Sequence, residues 1–249
     1  MDVGLVVLAL AAVLVGATLQ RISGMGMALM VAPTLVLLLG PVTGVLLTNA
    51  TAVVSAALVL VAVRRDVDWR RYALMMPAAV LGAVPGALVV RAAPAAWLEI
   101  VVGGLILLGL LGTAALHSVP QVRGAAPTLA AGVAGGFLST TAGVAGPALV
   151  IYATVTRWEQ RAFRATLQPT FMTMAAISLL AKGALGATGP AGLPPWWLAA
   201  GIAAMLVLGI TVGGRLSRRI DSLVARRTAV AIAVLGAVAT LVRGLVGAM

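Results

Sequence analysis

Ten apolar runs follow one another from end to end of this chain, at roughly 3 to 20, 25 to 39, 43 to 63, 72 to 90, 97 to 116, 126 to 138, 143 to 155, 165 to 185, 196 to 214 and 228 to 246. A helix crosses the ~30 Å hydrocarbon layer with about 20 predominantly apolar residues, so a succession of such runs constrains the chain to the bilayer. The 249 residues are 62% hydrophobic and 9% charged, against about 45 to 50% apolar and about 25% charged in soluble domains. No soluble domain fits between the runs. The absence of cysteine excludes disulfides and thiolate metal sites. At the start, Asp2 stands where a signal peptide has its basic region, so the first run is expected to remain in the protein.

The runs are unequal. Fifteen helical residues reach only about 22 Å at 1.5 Å per residue, so the second, sixth and seventh runs are too short for a comfortable crossing and read as re-entrant or broken elements. Two of them adjoin the same kind of interruption. Ser23-Gly24-Met25-Gly26 leads into the second run, and Gly143-Val144-Ala145-Gly146-Pro147 opens the seventh. Placing Gly24 on Gly143, an offset of 119, also brings Gly16 onto Gly135 and Asn49 onto Gln168. Gly82-xxx-Gly86 with Arg91 returns as Gly209-xxx-Gly213 with Arg218 at an offset of 127. The extra residues fall in the Gly and Pro-rich stretch from Gly186 to Pro195.

Glycine costs a helix interior about 1 kcal/mol relative to alanine, and proline about 3. Both interruptions are therefore expected to break a segment at membrane depth and expose backbone groups, as transporters do where they bind ligands. Irregular backbone survives there only inside protein or beside a water-filled cavity. The pattern predicts an all-α polytopic membrane protein of two repeats, 1–118 and 119–249, each of about five helical segments. An odd number of crossings per repeat inverts the second relative to the first, so the broken helices meet near the membrane midplane.

The formal charge of +11 is distributed as topology rather than as a nucleic-acid surface. Arg64, Arg65, Arg70 and Arg71 fill one loop, whereas its counterpart in the second half holds only Lys182. At the next loop the bias reverses: Arg91 stands alone in the first half, against Arg215, Arg218, Arg219, Arg226 and Arg227 in the second. With Arg123, Arg157, Arg161 and Arg164 on the rich side, the positive-inside rule makes that face cytoplasmic. Both termini are then expected outside a cell (inner) membrane.

Candidate ligand-binding residues cluster around the interruptions. Thr48, Thr51 and Ser55 share a stripe, with Asn49 beside it, and Thr166, Thr170 and Thr173 repeat the stripe in the second half. Gln168 lies about 200° from its stripe on an unbroken helix, and Pro169 is placed to turn it inward. Amides at membrane depth take interior polar roles, with the partner, substrate or helix, left open. Gln20, Arg21 and Ser23 precede the first break, and Ser139, Thr140 and Thr141 precede the second. Gly24, Gly26, Gly143 and Gly146 supply the breaks themselves, whose helix N-termini offer N–H donors and partial positive charge. Arginine with free donors and no mid-segment carboxylate favours an anion; Glu99 is the deepest acid. One histidine, His117, and no metal-ligand spacing leave no catalytic constellation, so neither an enzyme nor a cofactor is expected.

The twin motifs Gly24-Met25-Gly26 with Pro33 and Gly143-Val144-Ala145-Gly146-Pro147, together with Asn49 and Gly82-xxx-Gly86-xxxx-Arg91 with its repeat, resemble the sulfite exporter TauE/SafE family over essentially the whole chain. The chain departs from the usual Gly-x-Gly-Gly-Gly run at Met27, Ala28 and Ala145. The resemblance implies transport of small anions such as sulfite, sulfonates or related organic acids. A passive anion channel and a non-transporting membrane assembly are the alternatives, separated by saturable alternating access and by flux in liposomes. The expected partners are a small anion and the lipid bilayer, with no nucleic acid; the oligomeric state, a homodimer or otherwise, is not written in the sequence.

Overall fold

The computed structural model describes residues 3–23, 28–115, 121–189, 196–217 and 219–249. Ten α-helices run through them with no strand among the described residues: α1 (Val3–Ser23), α2 (Ala28–Leu39), α3 (Pro41–Val63), α4 (Trp69–Ala92), α5 (Ala95–Ala115), α6 (Ala126–Ala142), α7 (Gly146–Thr156), α8 (Gln160–Ala184), α9 (Trp196–Leu216) and α10 (Ser222–Ala248). Five fall in each half, in the places the apolar runs predict.

Helix starts differ most where polar residues open a helix ahead of its apolar run. Asp221 caps α10 by accepting from Leu223 N at 2.9 Å, so that the helix starts at Ser222, six residues before the run. Glu159 caps α8, its two oxygens accepting from Arg161 N and Ala162 N at 2.7 Å each. Asp68 does the same for α4, accepting from Arg71 N at 3.1 Å. Each carboxylate satisfies N–H groups that have no partner within the helix. Pro41, Pro127 and Pro147 occupy first-turn positions of α3, α6 and α7, where the missing N–H costs nothing.

Helices α2, α6 and α7 hold 12, 17 and 11 residues, so at 1.5 Å per residue none reaches 30 Å alone. Five others, α1, α3, α4, α5 and α10, are long and apolar enough to cross a membrane. The chain is a multi-pass membrane protein. α8 is long but mixed in polarity, and it packs inside against α3, α4 and α6 rather than facing outward on all sides.

The bundle is built from pairs: α4 lies along α6, α1 along α9, α5 along α10, and α3 against α8. Glycines set the first two. A Cβ on Gly82 would run into Val133 O and Phe137 N, and one on Gly86 would come 3.0 Å from Thr140 Cβ. A Cβ on Gly209 would meet Leu14 O at 2.8 Å and Thr18 N at 3.3 Å, and one on Gly213 would come 2.8 Å from Arg21 Cβ. Val133, Phe137 and Thr140 stand at the sequence offset of 119 from Leu14, Thr18 and Arg21, so the two glycine pairs rest on corresponding residues.

One end of the bundle gathers the loops that carry arginine. Arg161 pairs with Asp66 at 3.0 Å, Asp68 N donates to Thr166 Oγ1 at 2.8 Å, and Val122 N donates to Val155 O at 2.8 Å. Arg71 stacks 4.6 Å above the Trp158 ring there. At the opposite end Arg243 on α10 holds Glu99 with two bonds of 2.6 and 2.8 Å and donates to Val36 O and Leu37 O, the last carbonyls of α2. That fork ties three helices and neutralises the deepest acid predicted from sequence.

Candidate functional site

The second interruption forms as expected. α6 ends at Ala142, and Gly143 takes φ 73, a left-handed conformation that glycine enters without the Cβ penalty. Its N–H closes onto Ser139 O at 3.1 Å and that of Val144 onto Leu138 O at 3.3 Å. Two residues later α7 starts at Gly146, with Ala145 as a cap that offers no side-chain acceptor. The first-turn N–H groups of α7 have no partner inside the helix. Val144, Ala145 and Pro147 are all buried, so this helix end is enclosed in protein.

Asn49 reaches the break from α3. Its amide donates to Ser139 O at 3.1 Å and to Ser178 Oγ at 2.7 Å, while Ser139 Oγ donates to Asn49 Oδ1 at 3.4 Å. Asn49 is 1% exposed, Ser139 3% and Ser178 0%. One amide thus joins α3 in the first half to α6 and α8 in the second, with every one of its polar groups paired. Thr48 packs beside it, its methyl 3.2 Å from where a side chain on Gly143 would begin.

The hydroxyls named from sequence mostly serve their own helices. Thr48 donates to Gly44 O at 2.8 Å, Thr140 to Gly136 O at 2.9 Å and Thr141 to Phe137 O at 2.8 Å. All three are buried, and their protons are already committed. Gln20 lies elsewhere, accepting from Ser55 Oγ at 3.2 Å. Arg21 sits exposed on the last turn of α1, against Gly213 and Gly214 of α9. Gln168 is half-buried, and its Oε1 finds no hydrogen-bond partner among the described residues. Asn49 and Gln168 share no hydrogen bond. Ser23 ends α1, but its side chain lies outside the described residues, as do Gly24 and Gly26.

Ser178 is a member of this junction that sequence reasoning passed over. A signal for it exists: the stripe of Thr166 and Thr170 continues at i+4 steps through Met174 to Ser178 and then Lys182, all five buried. No group of three or more acidic or histidine side chains able to hold a metal occurs among the described residues.

These features define a class, a polytopic helical membrane protein with a buried polar junction at a broken helix. A family model described as Sulfite exporter TauE/SafE matches residues 8–241, nearly the whole chain, and the chain belongs to that family of membrane transporters. No curated protein and no solved structure matches it.

Proposed function

We propose that the protein carries small oxyanions of the sulfite and sulfonate type across the cell (inner) membrane, by alternating access between two inverted repeats whose polar junction is the binding region. The observation that carries this reading is the Asn49 amide bridging Ser139 and Ser178, because it puts the main buried polar contact between the halves next to the glycine-broken start of α7. A joint that links both halves and borders free backbone donors is where a rocking motion opens and closes a site. Support for the repeats comes from Gly82 and Gly86 resting on α6 as Gly209 and Gly213 rest on the corresponding residues of α1. The arginine-bearing end is cytoplasmic in this reading, which leaves both termini outside. No bond-making chemistry is assigned. Purified protein in liposomes should take up sulfite with saturation, and flux that rises linearly with concentration would replace the carrier with a channel.

A further inference from the structure

Lys182 is 0% exposed, the largest side chain buried to that degree, and its Nζ has no hydrogen-bond partner among the described residues. An unpaired cation in a protein interior is among the costliest arrangements a fold can hold. Every acidic side chain among the described residues is engaged elsewhere: Asp66 with Arg161, Asp68 with Arg71, Glu99 with Arg243, and Glu159 and Asp221 with helix N-termini. Among the described residues no internal counter-charge remains for it.

Its position gives that cost a purpose. Lys182 follows Ser178 by one turn of α8 and projects from the same stripe, which places it beside the Asn49 junction on the side away from the arginine-bearing loops. Donors are the scarce resource there. Both amide protons of Asn49 are used, the Ser139 hydroxyl points at Asn49, and the Thr48 and Thr140 hydroxyls are bonded to their own helices. Ser178 accepts from Asn49, and its own proton finds no acceptor among the described residues. The unspent donors therefore lie one turn apart on one face of α8.

We propose that Lys182 and Ser178 bind the transported anion, the lysine as counter-charge and the serine as hydrogen-bond donor. This rests on the anion-transport reading. A small tetrahedral or pyramidal oxyanion suits the pair: one charge answers the amine, and several acceptor oxygens answer both residues. Sulfonates qualify through a tetrahedral head of three oxygens and carboxylates through a planar one of two, whereas a cation or a neutral solute meets an uncompensated charge.

The test uses detergent-purified full-length protein and its thermal shift in sodium sulfite against sodium chloride of equal ionic strength. Lys182→Met removes the amine and keeps the length. The variant should melt no lower than wild type without sulfite, because an unpaired buried charge is gone, and should bind sulfite about 10- to 100-fold more weakly. Ser178→Ala, too small a change to threaten folding, should weaken binding about 10-fold. A sulfite response retained at wild-type strength in Ser178→Ala and Lys182→Met overturns the assignment and leaves the anion reading standing. A Lys182→Met protein that melts well below wild type in chloride overturns the role of Lys182 in favour of a structural one. A wild-type protein that gives neither thermal shift nor liposome flux with sulfite overturns the anion reading itself.

Discussion

Asn49 and Arg243 show how a single polar side chain joins several helices. Replacing Asn49 with leucine removes two donated bonds and leaves Ser178 and Ser139 short of a partner, yet hydrogen bonds between membrane helices average only about 0.6 kcal/mol each. Asn49→Leu should therefore cost roughly 1 kcal/mol of stability while abolishing sulfite transport, measured on the same reconstituted sample. Arg243 carries more. Its loss strands Glu99, only 8% exposed, and takes a donor from two carbonyls of α2, of which Val36 O keeps the Gly40 N–H. Glu99 is the buried partner while the Arg243 side chain is 41% exposed, so the pair is partly screened and Arg243→Leu should destabilise the protein by about 1–2 kcal/mol, with Glu99→Gln in the same chain restoring part of it. Arg21 contrasts with both: it is exposed against α9 and makes no contact with the Asn49 junction, so Arg21→Lys should keep sulfite affinity within a few-fold. Loss of 10- to 100-fold there would mean that its bidentate fork meets the anion, which lysine cannot copy.

Among the elements, the ten helices were legible because apolar runs punctuated by glycine, proline and charge are the strongest signal a membrane chain writes. What stayed hidden was at their ends. Lys182 reads as a loop charge because Gly183 and Gly186 follow it, but α8 continues to Ala184 and holds the lysine inside. The opening turn of α8 is likewise polar and invisible to hydropathy, being defined by the Glu159 cap. Two backbone N–H bonds, from Ala162 first and Arg161 second, hold the Glu159 carboxyl below its ordinary value of 4.5. A depressed carboxyl stabilises its helix above the unfolded value and loses that effect as pH falls through the folded one. Protection of the Arg161 and Ala162 amides, taken relative to their intrinsic exchange rates, should therefore fall only below about pH 4.5, and at neutral pH in Glu159→Ala. The glycine seams make a second test of element packing. Gly82→Ala puts a methyl into the α6 backbone, and Gly209→Ala does so against α1; each should cost about 1–3 kcal/mol by overpacking, and equal sensitivity to thermal melting would support corresponding roles in the two halves.

For the molecule as a whole, the offset of 119 between motifs led from sequence to the repeat reading. The junction itself could not be read the same way, because Asn49 bonds Ser178 and not its sequence counterpart Gln168. In the proposed inverted repeats, α3 and α8 run antiparallel through one core and bring unlike positions level with each other, so sequence correspondence and spatial contact diverge. The orientation proposed from charge predicts that single cysteines at Gln121 and Ser217, among the arginine-bearing loops, are shielded from impermeant thiol reagents outside intact cells, while cysteines at Ala92 and Ala184 react. The cysteine-free chain gives this experiment no background. The most direct test of alternating access is sulfite exchange in proteoliposomes. A carrier whose site opens to one side at a time should show saturable sulfite uptake, accelerated by sulfite preloaded inside and lost in Asn49→Leu. Uptake that neither saturates nor responds to internal sulfite would contradict it.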